Sequence, residues 1–204
     1  MSFKYANIGL SGVAGCGKNT IAVIIGKFLD RLGLPYKELS IANNLKKELA
    51  PASVELYGID SSKCGRQEKD LIRPLLVAHG GIKRKLSKGR HWIEQLSPEL
   101  HKDKINIITD IRFNEYDKDE VYWIKNEING ILIHISQYKE KNGNRIFLSA
   151  ANFTEEQNDP KVKKEADFIL NWPYEKDQVK QILNCEKLLK WLKGIYAAEK
   201  LSRE

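Results

Sequence analysis

The chain is poor in the residues that build disulfides and metal centres: 204 residues hold 3 cysteines, 4 histidines and 1 methionine. Cys16, Cys64 and Cys185 are odd in number and far apart. They make neither a disulfide framework nor a metal-spaced cluster, and are expected to be reduced structural thiols of an intracellular protein. His79, His91, His101 and His134 show no ligand spacing. No nucleophile elbow and no H-x-E motif is present, so nothing points to hydrolysis by a protein nucleophile. No apolar run approaches the ~18 residues of a membrane span. The first ten residues, MSFKYANIGL, lack the basic flank, apolar core and cleavage site of a secretory leader. A soluble protein of the cytoplasm is expected, with no membrane partner. Internal repeats and low-complexity tracts are also missing.

What is present is an ordinary globular composition, with 42% hydrophobic and 30% charged residues. The length suits one α/β domain. The net charge of +7 fits a small anionic substrate and is no nucleic-acid signature by itself.

Apolar segments at 3–10, 36–41, 105–109, 131–136 and 167–171 read as strands. Helical periodicity covers 18–32, 42–57 with a break at Pro51, 74–86 opening at Pro74, 91–101, 114–127 and 175–199. The segment 58–67 reads as a turn, and 137–165 as polar and irregular. Strands alternating with helices imply an α/β, three-layer fold: a mostly parallel central sheet of about five strands with helices on both faces. Ligands in such sheets bind beyond the carboxyl ends of the strands.

The strongest motif lies at such an end. Gly12-Val13-Ala14-Gly15-Cys16-Gly17-Lys18-Asn19-Thr20 leaves a strand and enters a helix, the context in which G-x-x-x-x-G-K means phosphate binding. Glycines turn backbone N–H groups inward, the helix N-terminus adds positive potential, and Lys18 supplies a mobile charge. The bland alternative is a glycine-rich turn. Asn19 stands where Ser or Thr usually holds Mg²⁺, and Thr20 follows. This G-K-x-T order is similar to that of nucleoside monophosphate kinases. Cys16 reads as a small loop residue, although the helix end could lower its pKa.

A second constellation follows the strand at 105–109. Asp110 lies at its carboxyl end, with Arg112 and Glu115 beyond. A carboxylate there reaches the Mg²⁺ shell of a bound nucleotide, and an arginine offers a fork to a phosphate. The alternative is a strand-end turn with a local ion pair. Arg66, Lys69, Arg73, Lys83, Arg84, Lys85, Lys88 and Arg90 read mostly as solvated surface; Arg73, just before Pro74, could share an anion with a helix N-terminus. Gly80-Gly81 marks either a close approach to a ligand or a break between helices. Trp92 could stack on a base but reads more readily as core.

Taken together, SGVAGCGKNT at 11–20, IANNLKKEL at 41–49, RPLLVAHGG at 73–81 with HWI at 91–93, TDIRFNE at 109–115 and ADFILN at 166–171 resemble the deoxynucleoside monophosphate kinases of tailed phages, within the P-loop nucleoside monophosphate kinases. Val77, Ser136-Gln137 and the segment 142–160 depart from that pattern. The resemblance implies a single P-loop kinase domain over 1–204, with a substrate-binding helical segment at about 42–102 and a lid at about 137–160. It implies transfer of the ATP γ-phosphoryl group to a deoxynucleoside monophosphate, with ATP and Mg²⁺ required, in the host cytoplasm if the chain is phage-encoded. Lys18, Asp110 and Arg112 would be catalytic. Gly12, Ala14, Gly15, Gly17, Lys18, Asn19 and Thr20 would bind ATP, with Arg145 as the lid arginine. Leu45, Lys46, Arg66, Arg73, Gly80, Gly81, Trp92, Asp110, Arg112 and Glu115 would face the acceptor. Asp110 would meet Mg²⁺ through water. The partners would be small nucleotides, with nucleic acid not expected. Trp191 and Tyr196 on the last helix belong to the sheet's covering or to a homodimer contact. Two rival readings are a P-loop kinase for an alcohol acceptor, with Asp110 as base, and a nucleotide-dependent nucleic-acid-binding protein.

Overall fold

The computed structural model describes residues 6–201, with side chains to residue 196. Residues 3–5 of the expected first strand and the side chains at the end of the last helix lie outside them. The chain runs β1 (Asn7–Ser11), α1 (Lys18–Arg31), β2 (Tyr36–Ser40), α2 (Ile41–Tyr57), α3 (Arg66–Ser87) and α4 (His91–Leu96). It continues with β3 (Ile105–Ile111), α5 (Glu120–Tyr122) widening into a π turn at Trp123–Glu127, and β4 (Gly130–Lys141). Last come β5 (Asn144–Phe147), α6 (Phe153–Lys164), β6 (Phe168–Pro173), α7 (Gln178–Asn184) and α8 (Glu186–Leu201). No described helix is long and apolar enough to cross a membrane.

Five strands are parallel in the order β2-β3-β1-β4-β6, and β5 is added antiparallel to the far end of β4. The α/β architecture is as expected, with six strands among the described residues rather than about five. Period-two alternation sorts the strand side chains into two layers. Ile8, Leu10, Ile107, Ile133, Leu170 and Trp172 pack with α1 and α8. Leu39, Ile108, Ile111 and Leu132 pack with α4, α5 and Val162 of α6 on the other face.

The alternation slips once. β3 loses register against β1 between Gly9 and Ser11, where Ile108 and Ile111 are the successive partners. Ile108 and Ile111, three apart, therefore face the same layer. This bulge lies at Thr109–Asp110 and re-aims the second of them.

Several element boundaries differ from those expected. α2 and α3 run unbroken through Pro51 and Pro74. Packing of Leu49 on α2 against Ile72 and Leu76 on α3 outweighs the one lost donor at each proline. The segment 114–127 gives only a short helix at its end. The expected helix 175–199 is two helices parted at Cys185, whose thiol is buried and pushed up to about 11. The region 137–165 is ordered as a hairpin and a helix. Tyr138 pairs with Phe147 on one side and Pro173 on the other, so β5 takes the edge of β4 that β1 vacates on turning into the glycine loop.

Candidate active site

The glycine loop is held in a form that only glycine adopts without strain. Gly12, Gly15 and Gly17 have φ of 127°, 81° and 96°. Space is as limiting as conformation. A Cβ at Gly12 would lie 2.3 Å from the Ile135 carbonyl oxygen, and one at Gly17 would lie 2.2 Å from the Trp172 ring. Trp172 Nε1 donates to the Cys16 carbonyl at 2.9 Å, so β6 supplies the floor under the loop. Lys18 is 6% exposed and curls back, donating to the carbonyls of Gly12 at 2.8 Å and Val13 at 3.0 Å. Burial and the neighbouring Arg112 cation lower its pKa. Cys16 is fully buried; desolvation raises its thiol, against the pull of Lys18. Cys16 is thus a small buried residue of the loop, and the helix end does not lower its pKa. Asn19 is exposed and Thr20 half-buried at the start of α1.

Asp110 stands opposite. The bulge leaves it at φ 69°, a left-handed conformation that costs a non-glycine residue roughly 1 kcal/mol or more. Its Oδ1 lies 3.0 Å from Arg112 and 3.8 Å from Lys18 Nζ, and its Oδ2 accepts from Ser40 Oγ at 2.9 Å. Burial alone would raise this carboxyl, but Arg112 and Lys18 hold it down at about 2. Lys18, Asp110 and Arg112, separated by up to 94 positions in the chain, form one cluster at the carboxyl ends of β1 and β3.

A residue not read from the sequence completes the cluster. Glu155, in the first turn of α6, accepts from the Ala14 N–H at 2.8 Å and from the Arg112 guanidinium. Its other oxygen accepts from the Ala151 N–H at 2.8 Å. The signal was in the sequence: Asn152 and Glu155 have the spacing of a capping box, and Asn152 does cap α6 by accepting from Glu155 N.

The expected acceptor residues divide. Lys46 belongs near the cluster: its ammonium is half-buried, and Asp110 and Arg112 both act on it, while burial and Lys69 lower its pKa. Gly80 is explained by helix packing, since a Cβ there would lie 2.6 Å from Leu45 Cδ1. Leu45 is thereby occupied with α3. Gly81 has open space beside it. Trp92 is 2% exposed between His79 and His91, with its indole N–H on the Gly80 carbonyl at 3.4 Å; it is core and presents no face to a base. Arg73 lies inside α3, not before it, and pairs with Asp70 at 2.7 Å. Arg66 is exposed at the start of α3. Arg145 lies over the Tyr138 ring on the hairpin, 4.6 Å from its centroid, not on the loop. Tyr196 is fully buried in the chain's own core and Trp191 packs on Phe168, so these two residues are used within the fold.

Arg84, read as solvated, is 4% exposed. It forks onto Asp119 at 2.9 and 2.8 Å, reaches Glu120 at 3.2 Å and lies over the Phe113 ring. Asp119 in turn accepts from the backbone N–H groups of Glu115 and Tyr116. Glu120 accepts from those of Arg112 at 2.6 Å and Phe113 at 3.1 Å. The loop carrying Arg112 thus hangs from two buried carboxylates held by α3. Burial raises Glu120 to about 7 despite Arg84. Glu115 is half exposed, 3.7 Å from Arg84, and is not brought to Lys18.

Behind the loop, a cavity of about 120 Å³ is lined by Val13, His134, Ser136, Phe147, Asp159 and Lys163. His134 Nε2 donates to Asp159 at 3.0 Å, and Lys163 donates to Ser136 Oγ at 3.3 Å.

No family model matches the chain, and no curated protein matches it significantly. Among solved structures it is similar to dephospho-CoA kinase from Campylobacter jejuni, with TM-score 0.43 and 16% identity, over 95% of this chain and 99% of that one.

Proposed function

We propose that this chain is an ATP-dependent phosphotransferase whose acceptor is a nucleoside monophosphate, a deoxynucleotide in the reading the motifs support. The observation that carries it is the meeting of Lys18, Asp110 and Arg112 beside a loop of three left-handed glycines. Such a loop offers inward N–H groups and a helix N-terminus to a polyphosphate.

The acidity of Asp110 favours this acceptor class. A general base works best with a pKa near the operating pH. Asp110 is held at about 2 and is a poor base for an alcohol. A monophosphate oxygen is already anionic and needs no base. It attacks the γ-phosphorus, the new P–O bond forms as the bridging P–O bond breaks, and the electron pair leaves on the β-phosphate oxygen of ADP. Catalysis then consists of in-line positioning and charge neutralisation. Lys18, freed from the carbonyls of Gly12 and Val13, and Arg112 supply cations to the transferring group. Lys46 faces the acceptor side.

The donor set suits Mg²⁺ held largely by phosphates and water. No cluster of three metal-ligating side chains occurs among the described residues, and both Asp110 oxygens are engaged by Ser40, Arg112 and Lys18. Asp110 would hold the ion through water, and the ion would neutralise charge on the polyphosphate. Closure by the hairpin, whose Leu148 lies 3.7 Å from where a Gly15 Cβ would be, would exclude water.

The test is ADP release with ATP, Mg²⁺ and each ribo- and deoxynucleoside monophosphate in turn. Release dependent on a deoxynucleotide, with the matching diphosphate formed, is the expected result. Silence across the panel from folded protein overturns the reading.

A further inference from the structure

The carboxylate of Glu155 lies among groups that the loop would offer to an anion. It accepts from the Ala14 N–H within the loop, and it shares Arg112 with Asp110. A phosphate cannot take these donors while a carboxylate holds them, and two anions repel at such range.

The helix that delivers Glu155 is built to leave. A helix docked for stability carries an apolar stripe. α6 buries Val162 as its one apolar side chain, beside Glu155 and Asn158. It is docked instead by polar contacts four residues apart on one face: Glu155 to the loop, Asp159 to His134 and Lys163 to Ser136. The docked position also carries a cost. Asn158 Oδ1 is buried without a hydrogen-bond partner, a state that native interiors mostly avoid.

We propose that Glu155 is an internal stand-in for a polyphosphate, holding the Ala14 N–H and Arg112, and that α6 must release it before a nucleotide binds. The proposal rests on the reading of the loop as a polyphosphate site and not on the identity of the acceptor. It makes the apparent affinity for polyphosphate the intrinsic affinity reduced by the fraction of molecules with α6 released. Removing the charge of Glu155 therefore strengthens binding, whereas loss of an ordinary site residue weakens it.

The experiment is calorimetric titration of sodium tripolyphosphate, and separately ATP, into the wild-type chain, Glu155→Gln and Asp159→Asn. Gln retains the capping geometry at the start of α6, so Glu155→Gln should fold. Asp159→Asn touches neither loop nor Arg112 and tests the same release from the other end of the helix. Tripolyphosphate should bind Glu155→Gln on the order of tenfold more tightly than wild type, the scale of one charge-assisted hydrogen bond, and Asp159→Asn a few-fold more tightly. Equal or weaker binding by both variants overturns the proposal, as does failure of every form to bind tripolyphosphate. Tighter binding without acceptor-dependent ADP release keeps the proposal and removes the phosphotransferase reading.

Discussion

Asp110 places a carboxylate oxygen 3.8 Å from the Lys18 ammonium, across the carboxyl ends of two adjacent parallel strands. Each group has a second duty: Lys18 is tied to loop carbonyls, and Asp110 is tied to Ser40 and Arg112. The pair joins the loop to the end of β3.

Lys18→Met should therefore cost catalysis far more than stability. Loss of a cation aimed at the transferring group is expected to slow ADP formation about 100-fold or more. Melting followed by circular dichroism should show a folded protein. Asp110→Asn should retain transfer to a monophosphate, slowed about tenfold or more and shifted to higher Mg²⁺. Complete loss that raised Mg²⁺ does not restore would instead point to Asp110 as a base.

Gly17→Ala should destabilise the fold by roughly 1–3 kcal/mol, since the added carbon overlaps the Trp172 ring and overpacking costs that much. Urea unfolding of Gly17→Ala, Trp172→Leu and the double variant measures the coupling. The double variant should be more stable than the sum of the two single losses allows.

Arg84→Met should cost about 3–5 kcal/mol, because it leaves Asp119 and Glu120 buried without their cation. Arg84→Lys should rescue little, since an ammonium cannot fork onto Asp119 and also lie flat on Phe113. Denaturant midpoints check both. A surviving Arg84→Lys protein should lose kcat more than KM if its main defect is a displaced Arg112.

Glu120 makes stability depend on pH with an unusual sign. Its folded pKa, about 7, lies above the ordinary 4.5, so the folded state binds the proton more tightly than the unfolded chain. Stability from this group is full below about 4.5, falls as pH rises from there to about 7, and is level above. The difference between wild type and Glu120→Gln, measured by urea titration across pH 4–8, should show that fall. Asp110 works oppositely: its folded pKa of about 2 lies below 3.8, and its contribution is lost as pH drops through that interval.

The sheet and the loop were legible because both are local patterns. Apolar runs such as residues 105–109 announce strands, and Gly12, Gly15, Gly17 and Lys18 sit within seven positions. Asp110 was legible as a strand-end carboxylate, but the bulge that aims it was not, since a register slip depends on the partner strand. Arg84 was indistinguishable from Lys83 and Lys85 by type; only the turn of α3 that it occupies buries it against Asp119. Trp92 had two readings, and burial by His79 and His91 settles it. Glu155 lay in a segment read as irregular because α6 has almost no apolar periodicity.

The floor that Trp172 lays beneath Gly17 orders events during synthesis. Residues 12–20 leave the ribosome before the strand that supports them, which lies some 150 residues downstream. Until β6 has emerged and paired with β4, the loop lacks the indole that fixes the Cys16 carbonyl. The motif is thus finished only after a distant strand is made, and a nascent chain stopped before residue 172 would carry every glycine of the loop without its working shape.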